Sequence, residues 1–173
     1  VYINEIYAQG AGSWIELYSN LSTSKSLENW RIFYNLGTLD SPSSESVIWT
    51  GEATDNIASS GTFLISSLNL DGSETRHVKL ARLSVGTTVT VDSVQWPVLP
   101  SGSSYARIDD GNETYFEIDP TPTEGYLNNT STNVKINEVR YSGSDEFIEL
   151  FNVSESTLTL TCLLYTSDAA DEE

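Results

Sequence analysis

The chain has 173 residues, a net charge of −17 and one cysteine, a length that accommodates one domain of ordinary size with residues left over. Eight basic residues against 25 acidic ones would repel a phosphate backbone, so we predict no nucleic-acid partner. No apolar run approaches the roughly 18 residues typical of a membrane span, so we predict no membrane insertion, and a single cysteine excludes an internal disulfide.

Short runs that alternate apolar and polar residues follow each other along the chain, which is typical of β-strands. The predicted strands of the first part are 2–7, 14–18, 30–34, 46–50, 62–66, 77–80, 87–96, 105–108 and 114–118. Turn signals separate them at 10–12, 40–44, 71–72, 100–102 and 110–112. Four tryptophans in or beside these strands are predicted core residues: Trp14, Trp30, Trp49 and Trp96. Strands at this spacing, without a helical period, predict an all-β fold of the β-sandwich type.

The motif INEIYAQGAGSWIELYS, which begins at Ile3, returns as INEVRYSGSDEFIELFN, which begins at Ile136. Residues 1–17 and 134–150 are identical at eight of seventeen positions, at one constant offset and without a gap. We therefore predict a first unit over 1–128, a linker over 129–133 and the start of a truncated second unit over 134–161. The linker is rich in Asn, Thr and Ser and has no apolar side chains to bury.

The last segment, residues 162–173, does not resemble the rest of the chain. From Cys162 it reads CLLYTSDAADE, which resembles the conceptual translation of a common transposase sequencing adapter. We interpret it as sequencing read-through, and this explains why the second unit breaks off. The chain begins at Val1 and contains no methionine, so we expect it to be a piece of a longer protein.

A family resemblance rests on motifs spread over residues 1–128. INEI and SWIELYSN followed by LENWRIF resemble the opening of the lamin-tail domain family. The strand SGTFLIS, the hairpin VKLARLSVGTTVTVDSVQW, the turn SSYARIDDG and the closing TPTEGYLN follow in the family's order. The resemblance implies an immunoglobulin-like β-sandwich of the lamin-tail type. Bacterial and archaeal modules of this family occur mostly in extracellular or envelope proteins, some beside nucleases or phosphoesterases, and the family has no established catalytic residues.

The residues themselves indicate no catalytic site, so we predict a chain that is not an enzyme and needs no cofactor or metal. His77 is the only histidine and lacks the cysteine partners of a typical zinc site, so we expect a surface or half-buried structural residue. Glu5 and Glu16 recur as Glu138 and Glu149. They could form an acid/base pair, but carboxylates among core residues more often accept backbone N–H groups from a neighbouring loop.

Two acidic turns and five sequons leave alternatives open. Asp109, Asp110, Asn112 and Glu113 could offer oxygen ligands to calcium, or could simply form a turn between strands. The acidic stretch NLDGSE at residues 69–74 is a weaker candidate of the same kind. N-x-S/T sequons, each a possible glycosylation site, begin at Asn20, Asn112, Asn128, Asn129 and Asn152.

Two functions remain. The first is a non-catalytic structural, adhesive or binding module of a larger repeat-bearing secreted or cell-surface protein, with a protein or cell-envelope partner. The alternative is an accessory domain of a secreted hydrolase, a nuclease or phosphoesterase, whose catalytic domain lies outside this chain. Further sandwich repeats or a wall anchor in the flanking sequence would favour the first, and a catalytic domain there would favour the second.

Overall fold

A computed structural model describes residues 1–37, 44–108, 110–111, 115–128, 134–142 and 146–152. By spatial proximity the chain divides into two compact units, Val1–Thr130 and Ser131–Glu173. The whole predicted linker 129–133, residues 153–161 of the predicted second unit and the whole segment 162–173 lie outside the described residues. The predicted domain boundaries and the adapter interpretation therefore stay predictions.

Every regular element in the described residues is a β-strand, which confirms the predicted all-β class. The strands of the first unit are β1 (Tyr2–Tyr7), β2 (Gly10–Tyr18), β3 (Lys25–Ser26), β4 (Trp30–Asn35), β5 (Glu45–Thr50), β6 (Asn56–Ile57), β7 (Thr62–Leu70), β8 (Arg76–Ser84), β9 (Thr87–Trp96), β10 (Ser104–Arg107) and β11 (Phe116–Asp119). They form two antiparallel sheets in the orders β11–β10–β1–β2–β7 and β5–β4–β8–β9, and β3 pairs with β6. None of the described residues forms a helix of the length and apolarity that a membrane crossing requires.

The two sheets pack as a β-sandwich around one apolar core. Side chains alternate between the faces of a strand, so every second residue of the central strands points inward. The core contains, among others, Ile3, Ile6, Ile15, Leu17, Ile32, Val78, Leu80, Val94 and Trp96. Trp30 also belongs to the core and Trp49 is partly buried against it, so Trp30, Trp49 and Trp96 pack as predicted. Trp14 is buried outside this core cluster and stacks on the ring of Tyr7.

Two features of the first unit differ from the sequence-based expectation. A turn was predicted at 10–12, but β2 begins at Gly10 and the chain reverses at Ala8 and Gln9. The reason is β7, whose far end pairs with Gly10 and Ser13 and so extends β2 back to the reversal. The short strands β3 and β6 were missed, because two residues show no periodicity.

The second unit repeats the first hairpin in its register. Its strands among the described residues are β12 (Val134–Arg140) and β13 (Phe147–Asn152). Ile136 lies opposite Leu150, as Ile3 lies opposite Leu17. The other equivalent pairs are Glu138–Glu149 with Glu5–Glu16, Val139–Ile148 with Ile6–Ile15, and Arg140–Phe147 with Tyr7–Trp14. Both hairpins also have a β-bulge at the same point, directly before Glu5 and directly before Glu138.

Candidate functional site

The bulge in β1 determines which side chains meet on the face of the five-stranded sheet opposite the core. Strict alternation from an inward Ile3 would point Glu5 inward and Ile6 outward. The extra residue at the bulge, Asn4, shifts the register. Ile6 therefore joins the core, while Asn4 and Glu5 lie on the other face beside Glu16 of β2. All three polar residues are completely buried there.

Seven residues form a hydrogen-bonded group on this face, which we call the polar cluster. Its members are Asn4, Glu5, Glu16, Ser104, Asp110, Thr123 and Asn128. They come from β1, β2, β10, the loop after β10 and the segment after β11. The cluster therefore joins the first strands of the unit to the last described segment of its chain.

Glu5 fastens the segment after β11 to the sheet. Its carboxylate accepts hydrogen bonds from the Ser104 hydroxyl at 2.5 Å and from the Thr123 hydroxyl at 2.7 Å. The backbone N–H of Thr123 also donates to it, at 3.2 Å and 3.3 Å from the two oxygens. Burial nevertheless raises the pKa of Glu5 above its ordinary value, because it outweighs these hydrogen bonds. Glu5 thus accepts a hydrogen bond from the backbone N–H of a neighbouring loop, as predicted.

Glu16 is the least satisfied member of the polar cluster. Its Oε1 accepts a hydrogen bond from the Asn4 amide at 3.0 Å, whereas its Oε2 is buried and has no hydrogen-bond partner among the described residues. Burial, and then the negative charges of Glu5 and Asp110, raise the pKa of Glu16 to about 8. The Asn4 amide and, more weakly, the backbone N–H of Gly125 act in the opposite direction. This raised pKa favours the protonated form of Glu16 in the folded protein.

Asn128 closes the cluster from the far end of the chain segment. Its side-chain amide donates to the carbonyls of Asn4 and Arg107 at 3.1 Å and 3.0 Å. Its backbone N–H donates to Asp110 Oδ1 at 3.0 Å, and the Asn4 amide donates to the same oxygen at 2.6 Å. A glycan on the Asn128 amide is incompatible with this buried arrangement. Among the other sequons, Asn20 is exposed, and the side chains of Asn112, Asn129 and Asn152 lie outside the described residues.

The calcium candidate is only partly described. Asp109, Asn112 and Glu113 lie outside the described residues, and Asp110 directs one carboxylate oxygen at N–H donors of the polar cluster. Across the described ranges, no three His, Cys, Asp or Glu side chains come together as a metal site would need. Calcium binding here therefore stays a prediction, and the structure describes only Asp110 of its four residues.

The acidic stretch at 69–74 comprises the end of β7 and most of the reversal into β8. Asp71 Oδ1 accepts the backbone N–H and hydroxyl of Ser73, and Asp71 Oδ2 pairs with Arg76 at 3.3 Å. The stretch also borders an open groove of about 660 Å³ at this end of the sandwich, together with Tyr34 and Leu99. Both oxygens of the Asp71 carboxylate therefore have partners close in sequence, in the turn and at the start of β8.

His77 lies in β8, on the face of its sheet opposite the core. It is buried, with Nδ1 at 3.1 Å from the carbonyl oxygen of Gly37. The expectation of a surface or half-buried position is therefore wrong, because the chain after β4 covers the imidazole.

Arg107 and Asp92 form the most deeply buried ion pair among the described residues of the first unit, and no sequence pattern predicted it. Arg107 is 1% exposed, donates from Nε to the carbonyl of Ile3 at 2.6 Å and pairs through Nη2 with Asp92 at 2.8 Å. Asp92 also accepts the backbone N–H of Ile3 at 2.9 Å. The pair links β9 of one sheet to β1 and β10 of the other, and the rings of Tyr2 and Phe116 flank the guanidinium. The only signal was an arginine within the SSYARIDDG motif.

The carboxylates of the polar cluster accept hydrogen bonds from loop residues. Glu5 and Glu16 are fully buried and face protein groups, so a substrate would reach them only after the segment from Thr123 to Asn128 had moved away. In the second unit, Asn137 and Glu149 repeat the side-chain hydrogen bond of Asn4 and Glu16. No protein-family model matches the chain, and neither a curated protein sequence nor a solved structure is significantly similar to it.

Proposed function

We propose that this chain is a non-catalytic structural or binding module of the lamin-tail type, belonging to a repeat-bearing protein that is secreted or displayed at the cell surface. Its partner would be another protein or a component of the cell envelope. The observation that carries the proposal is the repeated hairpin. Register, bulge and the Asn–Glu hydrogen bond recur together, as tandem copies of one module would require.

The arrangement of the carboxylates supports a non-catalytic role. Glu5 is the acceptor for Ser104 and Thr123, and Asp110 is the acceptor for Asn4 and Asn128. A pair of catalytic carboxylates needs access to a substrate and different protonation states at the working pH. Here burial raises the pKa of both Glu5 and Glu16, and both side chains are covered.

Enzymatic assays test the non-catalytic part of this proposal. The purified protein is incubated with a phosphodiester and a phosphomonoester, separately with calcium, magnesium and zinc, and compared with a buffer blank. We expect no turnover above the blank. Turnover that disappears in Glu16→Gln or His77→Ala but persists in Glu149→Gln would overturn the proposal and favour a hydrolytic role.

The tandem architecture has its own test. The genomic region on both sides of the coding fragment is sequenced through. We expect the second unit to continue with counterparts of β3–β11, followed by further repeats or a wall anchor. A nuclease or phosphatase domain in the flanking sequence would favour the accessory-domain alternative instead.

A further inference from the structure

The hairpin β12–β13 matches a place that already exists in the first unit of the same protein. There, β1 and β2 lie between β10 and β7. Strand β10 pairs with the outer edge of β1, and β7 pairs with the outer edge of β2. Because β12–β13 has the same register and the same bulge, it offers those groups in the same order.

The inward-facing side chains also match. In the first unit, Ile3, Ile6, Ile15 and Leu17 are 0% exposed. Their counterparts are Ile136, Val139, Ile148 and Leu150, at 66%, 51%, 59% and 42% exposure. Three of the four pairs are the same residue, and Ile6 differs from Val139 by one methylene. Nearly the same apolar surface is therefore buried in the first unit and exposed on the described part of the second hairpin.

The polar residues of the second hairpin complete the match. Asn137, Glu138 and Glu149 stand where the first hairpin has Asn4, Glu5 and Glu16. In the first unit, the partners of those three residues are Ser104, Asp110, Thr123 and Asn128. A hairpin of different sequence would leave these groups unpaired, and Ser104 and Asn128 among them are buried, where an unpaired polar group is unfavourable. The first unit is thus complementary to both the apolar and the polar face of a hairpin with this sequence.

We propose that β12–β13 is an exchange surface whose occupant is the first unit of a second copy of this chain. The hairpin enters between β7 and β10 of that copy and replaces its β1–β2, which is a domain swap between identical folds. In the unmodified chain, β1–β2 competes locally for the same place, so exchange dominates once β1–β2 is weakened. This inference requires the fold and the repeated hairpin, and does not require a surface location or a particular partner.

A matched pair of substitutions in the full chain tests the exchange. Ile15→Asp puts an unpaired charge into the core position of β2, and Ile148→Asp makes the same change at the equivalent position of β13. The single and double variants are compared by size-exclusion chromatography and by thermal unfolding at protein concentrations that differ tenfold. Because only exchanged molecules are joined, their Tm rises with protein concentration.

We expect Ile15→Asp to remain folded as a dimer or larger assembly with a concentration-dependent Tm. Ile148→Asp alone should unfold like the unmodified chain, and the double variant should lose the cooperative transition. Exchange is refuted if Ile15→Asp unfolds like the double variant. It is equally refuted if Ile15→Asp is folded but monomeric, since the second hairpin would then not act on another copy.

A disulfide between chains reports the register independently of stability. Tyr18 lies opposite Thr62 in the ladder of β2 and β7, and Phe151 is the counterpart of Tyr18 in the second hairpin. A donor with Phe151→Cys is mixed and oxidised with an acceptor that carries Ile15→Asp and Thr62→Cys, both in a Cys162→Ser background. We expect a disulfide-linked heterodimer, and much less of it when the acceptor cysteine is placed at the exposed Thr88 of β9 instead. Equal yields at positions 62 and 88 would contradict the proposed register.

Discussion

At the scale of single residues, identical side chains have different properties because only one of each pair is covered. Glu16 and Glu149 occupy equivalent positions in equivalent hairpins, each with an asparagine donor at the same spacing. Glu16 is fully buried beneath the end of the first unit, whereas Glu149 is exposed. Burial disfavours the ionised form of the Glu16 carboxylate. The stability of the protein should therefore depend on pH.

Glu16→Gln should stabilise the protein at pH 8 and reduce the dependence of stability on pH. A pKa raised from 4.5 to about 8 on folding means that Glu16 contributes most stability below pH 4.5, and that this contribution is lost as the pH rises towards 8. Glutamine keeps the acceptor for Asn4 and places a neutral amide beside Glu5 and Asp110. We expect a gain of a few kcal/mol at pH 8, since a pKa shift of one unit corresponds to about 1.4 kcal/mol.

Urea unfolding at pH 5, 6, 7 and 8 measures this effect. The matched control is Glu149→Gln, which should leave the free energy of unfolding nearly unchanged at every pH. Some slope should persist in Glu16→Gln, because burial also raises the pKa of Glu5. An unaltered slope in Glu16→Gln would show that Glu16 is ionised in the folded protein.

Arg107→Met should be strongly destabilising, because it leaves the carboxylate of Asp92 largely buried without its cation. The side chains of Arg107 and Asp92 are 1% and 14% exposed. Removal of one partner of a buried pair costs about 3 to 5 kcal/mol. Chemical unfolding of Arg107→Met, Asp92→Asn and the double variant measures the coupling between the two residues. Arg140→Met, at an exposed position of β12, is the control, and a similar loss in that variant would refute the assigned role.

At the scale of elements, the β1 bulge and the segment after β11 depend on each other. The bulge turns Asn4 and Glu5 away from the core, and Thr123 and Asn128 then satisfy them. Without the segment, Asn4 and Glu5 would lose hydrogen-bond partners on the face of the sheet. Without the bulge, the segment would lose the groups to which Thr123 and Asn128 donate. The last described part of the first unit is therefore an integral part of its fold.

Asn128→Ala should loosen this segment without unfolding the sandwich. The substitution leaves the carbonyls of Asn4 and Arg107 without their shared donor, which costs about 1 to 3 kcal/mol. Hydrogen exchange should become faster at the amide of Thr123, while the amides of Ile15 and Leu17 stay protected. Asn20→Ala, at an exposed sequon, should change neither, and unchanged exchange at Thr123 in Asn128→Ala would argue against a fastening role.

At the scale of the whole molecule, the described parts of the two units differ in how far their apolar side chains are covered. The first unit has two sheets and a shared core. In the described part of the second unit, the apolar side chains of one hairpin are exposed, Ile136 and Phe151 among them. An isolated two-stranded hairpin is marginally stable in water, and exposed strand edges favour association.

A chain that ends at Asn128 should therefore unfold cooperatively and stay monomeric. The full chain should associate more strongly at equal concentration, because it carries the uncovered hairpin. Light scattering and thermal unfolding of the two proteins compare these properties. A third protein that ends at Thr161 is the control for the adapter-like tail, and its Tm should equal that of the full chain. A Tm lower by several degrees would show that residues 162–173 contribute to folding.

The sequence by itself determined the all-β class, the approximate positions of the longer strands and the burial of the tryptophans. These follow from short-range alternation of apolar and polar residues, which is visible in one dimension. The repeat also came from sequence alone, because its two copies share residues at one offset. The structure added to it the common register and the common bulge.

Only the tertiary structure decided what the polar residues do. Asn4, Asp110 and Asn128 are far apart in sequence, and no local pattern indicates that they share hydrogen bonds. The sequence identified Glu5 and Glu16 as recurring residues, but burial in the folded unit, and then the charges of Glu5 and Asp110, give Glu16 its raised pKa. Arg107 was missed for the same reason, since its partner Asp92 belongs to the opposite sheet. Local periodicity fixes which face a side chain lies on, whereas its partners depend on which strands and loops the fold brings over that face.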